Sequence, residues 1–234
     1  MKKCIVSVCD KNSGVYAKSL DRLEESLDRH AKGIDRLIWR GSLPPGSPTH
    51  QEVPYGFKAY ALMEAKRQGY ELVIWADANT WLIRDIDPVF DYIEKHGYMF
   101  LANYGEAGII GKWSSDACIK AFGKTRDEAF EMKEIMACCF GLDLRKENCN
   151  KFLQKYYDCA NDGVTYLGAW HNDKHQVSVS DRVRGHRHDQ TVASLTLHEL
   201  DMLDWLVPYD SFLYYWDDNW GNVKSSIVFF KRGM

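Results

Sequence analysis

Short apolar runs alternate with segments of helical period along the chain, and no other feature restricts its folding as much. Lys3–Cys9 (KCIVSVC) is a compact β-branched run suited to a buried strand. The turn residues Asp10–Gly14 follow, and then Val15, Leu20, Leu23 and Leu27 recur at near-helical spacing, predicting a helix to about His30. Ile34–Trp39 reads as a second strand. Residues 41–54 hold four of the six prolines and read as loop. Tyr55–Gln68 is rich in helix formers and stops at Gly69. Glu71–Ala76 (ELVIWA) is apolar nearly throughout, which predicts a central strand covered on both faces. Asp87-Pro88 predicts a helix start, with Asp87 as N-cap and the proline at the first helical position. Beyond it the pattern predicts a strand at Tyr98–Ala102, helix around 114–135, a buried strand at Met136–Leu142 and an amphipathic helix at Lys146–Cys159. Residues 161–188 read as loop, Asp189–Leu200 as a helix and Ser226–Phe230 as a last strand. Strands alternating with helices predict an α/β layered fold with a mostly parallel sheet. No linker or repeat divides the sequence, so one domain over residues 1–234 is expected.

Composition narrows the function classes. The charge is −3, from 30 Lys+Arg against 33 Asp+Glu. With a pI near 6.2, that balance argues against a chain built to wrap nucleic acid. Mean hydropathy is −0.42, and no apolar run approaches the ~20 residues of a membrane helix. The N-terminal apolar stretch ends at Asp10, as a first strand would and a signal peptide would not. The seven cysteines, at 4, 9, 118, 138, 139, 149 and 159, include no C-x-x-C pair. They are read as reduced thiols packed as small apolar groups in a cytoplasmic protein.

In an α/β sheet, loops leaving the carboxyl ends of strands are the default ligand site. Three polar clusters fall there: Cys9-Asp10-Lys11, Asp77-Ala78-Asn79 and Gly185–Gln190 (GHRHDQ). None is a dinucleotide or phosphate-loop glycine motif. The Asp77-Ala78-Asn79 cluster directly follows the apolar strand Glu71–Ala76. Two hard oxygen ligands two residues apart can share a divalent cation that bridges phosphate oxygens. Both project to the same side if strand geometry continues past Ala76.

The stretch PYGFKAYALMEAKRQGYELVIWADANTWLIRDIDPVF resembles the middle of nucleotide-sugar-dependent glycosyltransferases of the GT-A fold. There a helix precedes a hydrophobic strand ending in Asp-x-Asp, and an Asp-Pro helix follows. HRHDQTVASL is similar to the Asp-Gln segment of retaining members, such as glycogenin-like enzymes and bacterial lipooligosaccharide galactosyltransferases. MACCFGLDLRKEN resembles their acceptor-side strand with its glycine. The resemblance implies a single-domain, three-layer GT-A-like sandwich, a nucleoside-diphosphate sugar donor (UDP-sugar first), and a glycan, lipid or protein hydroxyl as acceptor. It implies that Asp77 meets the donor ribose and a Mn²⁺ or Mg²⁺ ion. Asn79 stands where the second Asp would bind that metal, a neutral and poorer ligand. By the same resemblance Asp189 holds sugar hydroxyls and Gln190 lies under the anomeric carbon. Cys9 and Asp10 at the first-strand exit fit the base pocket, with Tyr16 as stacking partner, and Lys58 faces the donor. Retaining members often add a C-terminal histidine as third metal ligand, and no histidine follows His198 here.

Transfer from a nucleoside diphosphate requires negative charge on the leaving group to be stabilised, by a divalent ion or by a Lys/Arg clamp. Lys58 is a candidate clamp, as are Lys231 and Arg232 if the tail folds over the site. Gln190 is a poor covalent nucleophile, which points to same-face displacement rather than glycosidase-type double displacement. Plainer readings stand beside these. In these, Asp10 is no more than a strand terminus, Lys58 a solvated helix charge, and Asp189 an N-cap with Gln190 exposed. The aromatic tail (Trp205, Trp216 and Trp220, among Asp201, Asp204, Asp217, Asp218 and Asn219) reads as core, lid anchor or carbohydrate surface. Two other classes remain. One is a metal-dependent hydrolase using His186, His188 and Asp189, completed by His171 or His175. The other is a sugar-binding module without catalysis. Phosphoryl or nucleotidyl transfer lacks the glycine-rich loop it would need.

Overall fold

The computed structural model describes residues 1–103, 105, 108–216 and 223–232. Its main sheet has six strands in the order β2-β1-β3-β6-β5-β7. These are β1 (Lys3–Cys9), β2 (Asp35–Arg40), β3 (Leu72–Ala76), β5 (Tyr98–Ala102), β6 (Ile135–Asp143) and β7 (Leu206–Pro208). β1 pairs parallel with β2 and β3, and β5 pairs parallel with β7. β6 runs antiparallel between β3 and β5, so it alone is reversed.

Side-chain alternation divides the interior into two halves. Cys4, Val6 and Val8 of β1, with Val73 and Trp75 of β3, face α2 (Phe57–Arg67), α6 (Glu147–Cys159) and α7 (His188–Glu199). Ile5 and Cys9, with Leu72, Ile74 and Ala76, face α1 (Val15–His30) and α3 (Asp87–His96). The result is helix layers on both faces of a mostly parallel sheet, as the alternation predicts. All five residues of β3 are buried, which its uninterrupted apolar run requires. The seven cysteines are buried as well.

Several boundaries differ from the sequence reading. Residues 114–135 form two short helices, α4 (Asp116–Ala121) and α5 (Arg126–Glu131), because Gly123 and the Thr125–Glu128 capping box interrupt one and start the next. The N-cap of α3 is Ile86, without a side-chain cap bond, and Asp87 lies in the first turn, where its charge suits the helix dipole. A second sheet, in the order β4-β9-β8, joins β4 (Thr80–Leu82), β8 (Leu213–Trp216) and β9 (Phe229–Arg232). β9 starts three residues later than the predicted Ser226–Phe230, because its register is set by pairing Leu82 with Phe229 and Thr80 with Lys231. The C-terminal strand therefore runs alongside the residues that follow Asp77. No helix among the described residues is long and apolar enough to cross a membrane.

Candidate active site

Asp77 leaves β3 on the face that carries Trp75, and its surroundings are organised by that strand end. Its backbone N–H donates to the Cys138 carbonyl of β6 at 2.8 Å, and its carbonyl accepts from Thr80 N–H at 2.8 Å. The chain thus turns at Asp77–Thr80 instead of continuing extended, so strand alternation does not place Asn79. Both Asp77 and Asn79 nonetheless line the same cavity. The Trp75 indole donates to Asp77 Oδ1 at 2.9 Å.

Lys58, on the first turn of α2, reaches under the strand end. Its ammonium lies 2.8 Å from Asp77 Oδ1 and 2.7 Å from Asp189 Oδ2, and it donates to the Ala137 carbonyl at 3.0 Å. It is 3% exposed, so it is a structural cation and not a solvated helix charge. Burial alone would lower its pKa, but Asp189 and Asp77 outweigh burial and hold it well above its ordinary value. Lys231 of β9 contacts the other oxygen, Asp77 Oδ2, at 2.7 Å. Burial raises the Asp77 pKa, but Lys231 and Lys58 together overcome it and keep the carboxylate far below its usual range. Asp189 moves the other way, because burial exceeds the pull of Lys58.

Two adjoining cavities meet at this cluster. The first, about 340 Å³, is lined by Val8, Cys9, Asp10 and Lys11 at the exit of β1, and also by Tyr16, His50, Asp77 and Asn79. The second, about 380 Å³, is lined by Asn103, Met136, Ala137, Cys138, Trp170, Arg187, Asp189 and Gln190. Tyr55, Lys58, Asp77 and Lys231 line both. Cavities of this size suit a small ligand, and together they suit an extended one.

The second cavity is supported by a buried carboxylate. Glu134 Oε2 accepts from Arg187 at 2.7 Å and from the Gln190 amide at 2.8 Å. Burial raises its pKa to about 7, against the lowering effect of Arg187, Gln190 and Asn103. Gln190 is therefore held by its amide nitrogen and is not an exposed helix residue. Asp189 is likewise no N-cap: α7 starts at His188, and the Asp189 side chain turns to Lys58. α7 is buried on almost every side, as a helix packed between β6 and α6 must be.

Two non-glycine residues with left-handed backbone flank the cluster, Tyr55 at φ 61° and His188 at φ 43°. Their rings stand 5.9 Å apart. Such conformations cost on the order of 1–3 kcal/mol each and persist where surrounding contacts fix them. Here the His188 ring donates from Nδ1 to the Tyr166 carbonyl at 2.9 Å. Trp170 stacks on His188 at 5.8 Å and is 48% exposed at the mouth of the second cavity. Its backbone is pinned because a Cβ on Gly185 would meet the Trp170 carbonyl oxygen at 1.8 Å, so only glycine lets the two segments run together.

Every predicted site residue (Cys9, Asp10, Tyr16, Lys58, Asp77, Asn79, Asp189 and Gln190) lines one or both cavities. The histidine cluster does not form a metal centre. His186 accepts from Ser115 N–H at 3.1 Å and donates to the Thr165 carbonyl at 2.9 Å, so both ring nitrogens are used. No group of three His, Cys, Asp or Glu able to hold a metal occurs among the described residues. Of the aromatic tail, Trp205 packs on His96 of α3 at 4.5 Å and lines neither of the two cavities; Phe212, nearby in sequence, likewise packs on Tyr92 of α3 at 5.6 Å. Trp220, Asp217, Asp218 and Asn219, and the side chains of Trp216 and Arg232, lie outside the described residues.

A divalent ion fits Asp77 and Asn79 poorly as they stand. Both Asp77 oxygens already carry an ammonium group. An ion taking either oxygen meets like charge, worth on the order of 4 kcal/mol per unit-charge pair at 4 Å and an effective dielectric of about 20. The remaining donor, an amide, adds no charge to offset this.

The fold has counterparts among solved structures. One is a glycosyltransferase described as involved in the glycosylation of the major capsid of PBCV-1. It is similar with TM-score 0.57 and 11% identity, over 99% of this chain and 92% of that one. The apo structure of the bifunctional glycosyltransferase WbbM is similar with TM-score 0.51 and 10% identity, over 98% of this chain and 45% of that one. No protein-family model and no curated protein sequence matches the chain. The chain thus shares its overall fold with these two glycosyltransferases.

Proposed function

We propose that this protein transfers a glycosyl group from a nucleoside-diphosphate sugar, UDP-sugar first, to a hydroxyl of a glycan or other acceptor. The observation that carries the reading is the pair of cavities meeting at Asp77, Lys58 and Lys231. A molecule with a base at one end, a sugar at the other and two phosphates between them matches that layout. Cys9, Asp10 and Tyr16 serve the nucleoside in the first cavity. Asp77 and the lysines serve the diphosphate, while Asp189 and Gln190 serve the sugar in the second.

Within this reading the anomeric C–O bond to phosphate breaks with its electron pair going to the departing phosphate oxygen. The acceptor oxygen bonds the anomeric carbon, and its proton passes to that phosphate oxygen. Retention follows if attack and departure share one face. Supporting this route, Asp77 and Asp189 are both tied to Lys58, and Gln190 presents an amide, which does not form a stable glycosyl intermediate. Preorganised charges at the junction then stabilise the leaving group.

A thermal-shift screen of UDP, GDP, CMP and TDP, each with and without Mn²⁺, tests the donor reading. A nucleotide at about a hundredfold excess over its Kd stabilises the fold by about 2.7 kcal/mol, several degrees in Tm. At least one nucleoside diphosphate is expected to give that shift. A flat response to all of them contradicts the proposal.

A further inference from the structure

Lys58 and Lys231 both hold Asp77, but they are not equivalent. An ammonium group has three N–H donors. Lys58 uses its three on Asp77, Asp189 and the Ala137 carbonyl, at 2.8, 2.7 and 3.0 Å. Among the described residues, the hydrogen-bond partner of Lys231 Nζ is Asp77 alone, at 2.7 Å. Among the described residues, two N–H directions on Lys231 therefore remain open to a ligand, and the residue lines both cavities at their junction.

We propose that Lys231 is the cation that receives the donor diphosphate, in the place a divalent ion held by Asp77 and Asn79 would take. This rests on the donor reading above. Lys58 and Lys231 together bring two positive charges against Asp77 and Asp189, the same balance as one divalent ion. Lysine is a compact point charge that binds phosphate oxygens through charge-assisted hydrogen bonds. Its position is fixed by strand pairing, Lys231 opposite Thr80, three residues beyond Asp77. Little reorganisation is then needed when the phosphates arrive. Asp77 in this arrangement orients an ammonium group and is not a metal ligand. Lys58 remains a positioning residue that joins Asp77 to Asp189.

Calorimetric titration of the full chain with UDP, GDP and TDP, first in EDTA and then in Mn²⁺, tests the proposal. Binding in EDTA is expected, with Mn²⁺ tightening it by less than about tenfold. Lys231→Met should weaken binding in EDTA by roughly tenfold or more, the usual worth of a charged hydrogen bond, and Lys231→Arg should recover most of it. Binding that needs Mn²⁺, or that tightens tenfold or more with it, overturns the proposal and leaves the donor reading standing. Unchanged affinity in a folded Lys231→Met does the same. Absence of binding in both conditions overturns the donor reading and this inference together. If Lys231→Met does not fold, the EDTA and Mn²⁺ comparison on the unaltered chain still decides.

Discussion

Asp189 and Glu134 are both buried acids beside the second cavity, and they make opposite demands on a substitution. Asp189 gives one oxygen to Lys58 and lines the second cavity, the sugar subsite of the proposed reaction. Asp189→Asn keeps the shape and removes the charge. Transfer is expected to fall by roughly a hundredfold or more, as for a misplaced reacting group, with UDP affinity within a few-fold. Parallel assays of product formation and nucleotide binding check it, and equal loss of both would move Asp189 out of the sugar subsite. Glu134 lines neither of the two cavities but holds Arg187 and Gln190, which line the second. Its pKa is raised by burial from 4.5 to about 7, so the folded state keeps the proton more tightly than the unfolded chain. The stability this gives is complete below about pH 4.5 and lost as pH rises through 7, on the order of 3 kcal/mol in all. Glu134→Gln should therefore reduce the fall in Tm between pH 5 and pH 8. An unchanged difference would show that the carboxyl titrates as an ordinary glutamate.

At the level of elements, β3, β6 and α7 position the chemistry, and their packing tolerates little. Gly141 of β6 faces α3 so closely that a Cβ would lie 2.2 Å from Ile93 Cδ1. Gly141→Ala is expected to cost about 1–3 kcal/mol, visible as a drop of roughly 2–12 °C in Tm, with nucleotide affinity retained. A melting curve identical to the parent would mean that α3 yields at no cost. These elements were legible in sequence because their signal is local. ELVIWA reads as a central strand from composition alone, and DQTVASLTLHEL reads as a helix. The three-residue strands β4 and β7 carry no such signal, and β9 takes its register from Thr80–Leu82, about 150 residues earlier. Asp77 and Asp189 were readable as motif residues on the ends of predicted elements. Tyr55, Asn103, Trp170 and Arg187 were not, since their part in the cavities depends on tertiary placement. Glu134 gave no signal either, being one acid beside an apolar strand. The 154-residue span between Asp77 and Lys231 made the tail lysine a candidate only if the tail folded back, which strand pairing brings about.

At the level of the whole molecule, the sheet brings together residues from opposite ends of the chain. Cys9 and Asp10 leave β1, Asp77 leaves β3, Asp189 heads α7 and Lys231 returns on β9. They gather beyond the carboxyl ends of β1 and β3, where open α/β folds bind ligands. The central claim is that a single nucleotide sugar spans both cavities across the lysine pair. The most direct measurement is a crystal structure of the complex with an unreactive UDP-sugar, its 2-hydroxyl replaced by fluorine. The account predicts uracil beside Tyr16 and Asp10, phosphates at Lys231 and the sugar ring against Asp189. Density confined to one cavity, or a diphosphate bound away from Asp77 and Lys231, would contradict it.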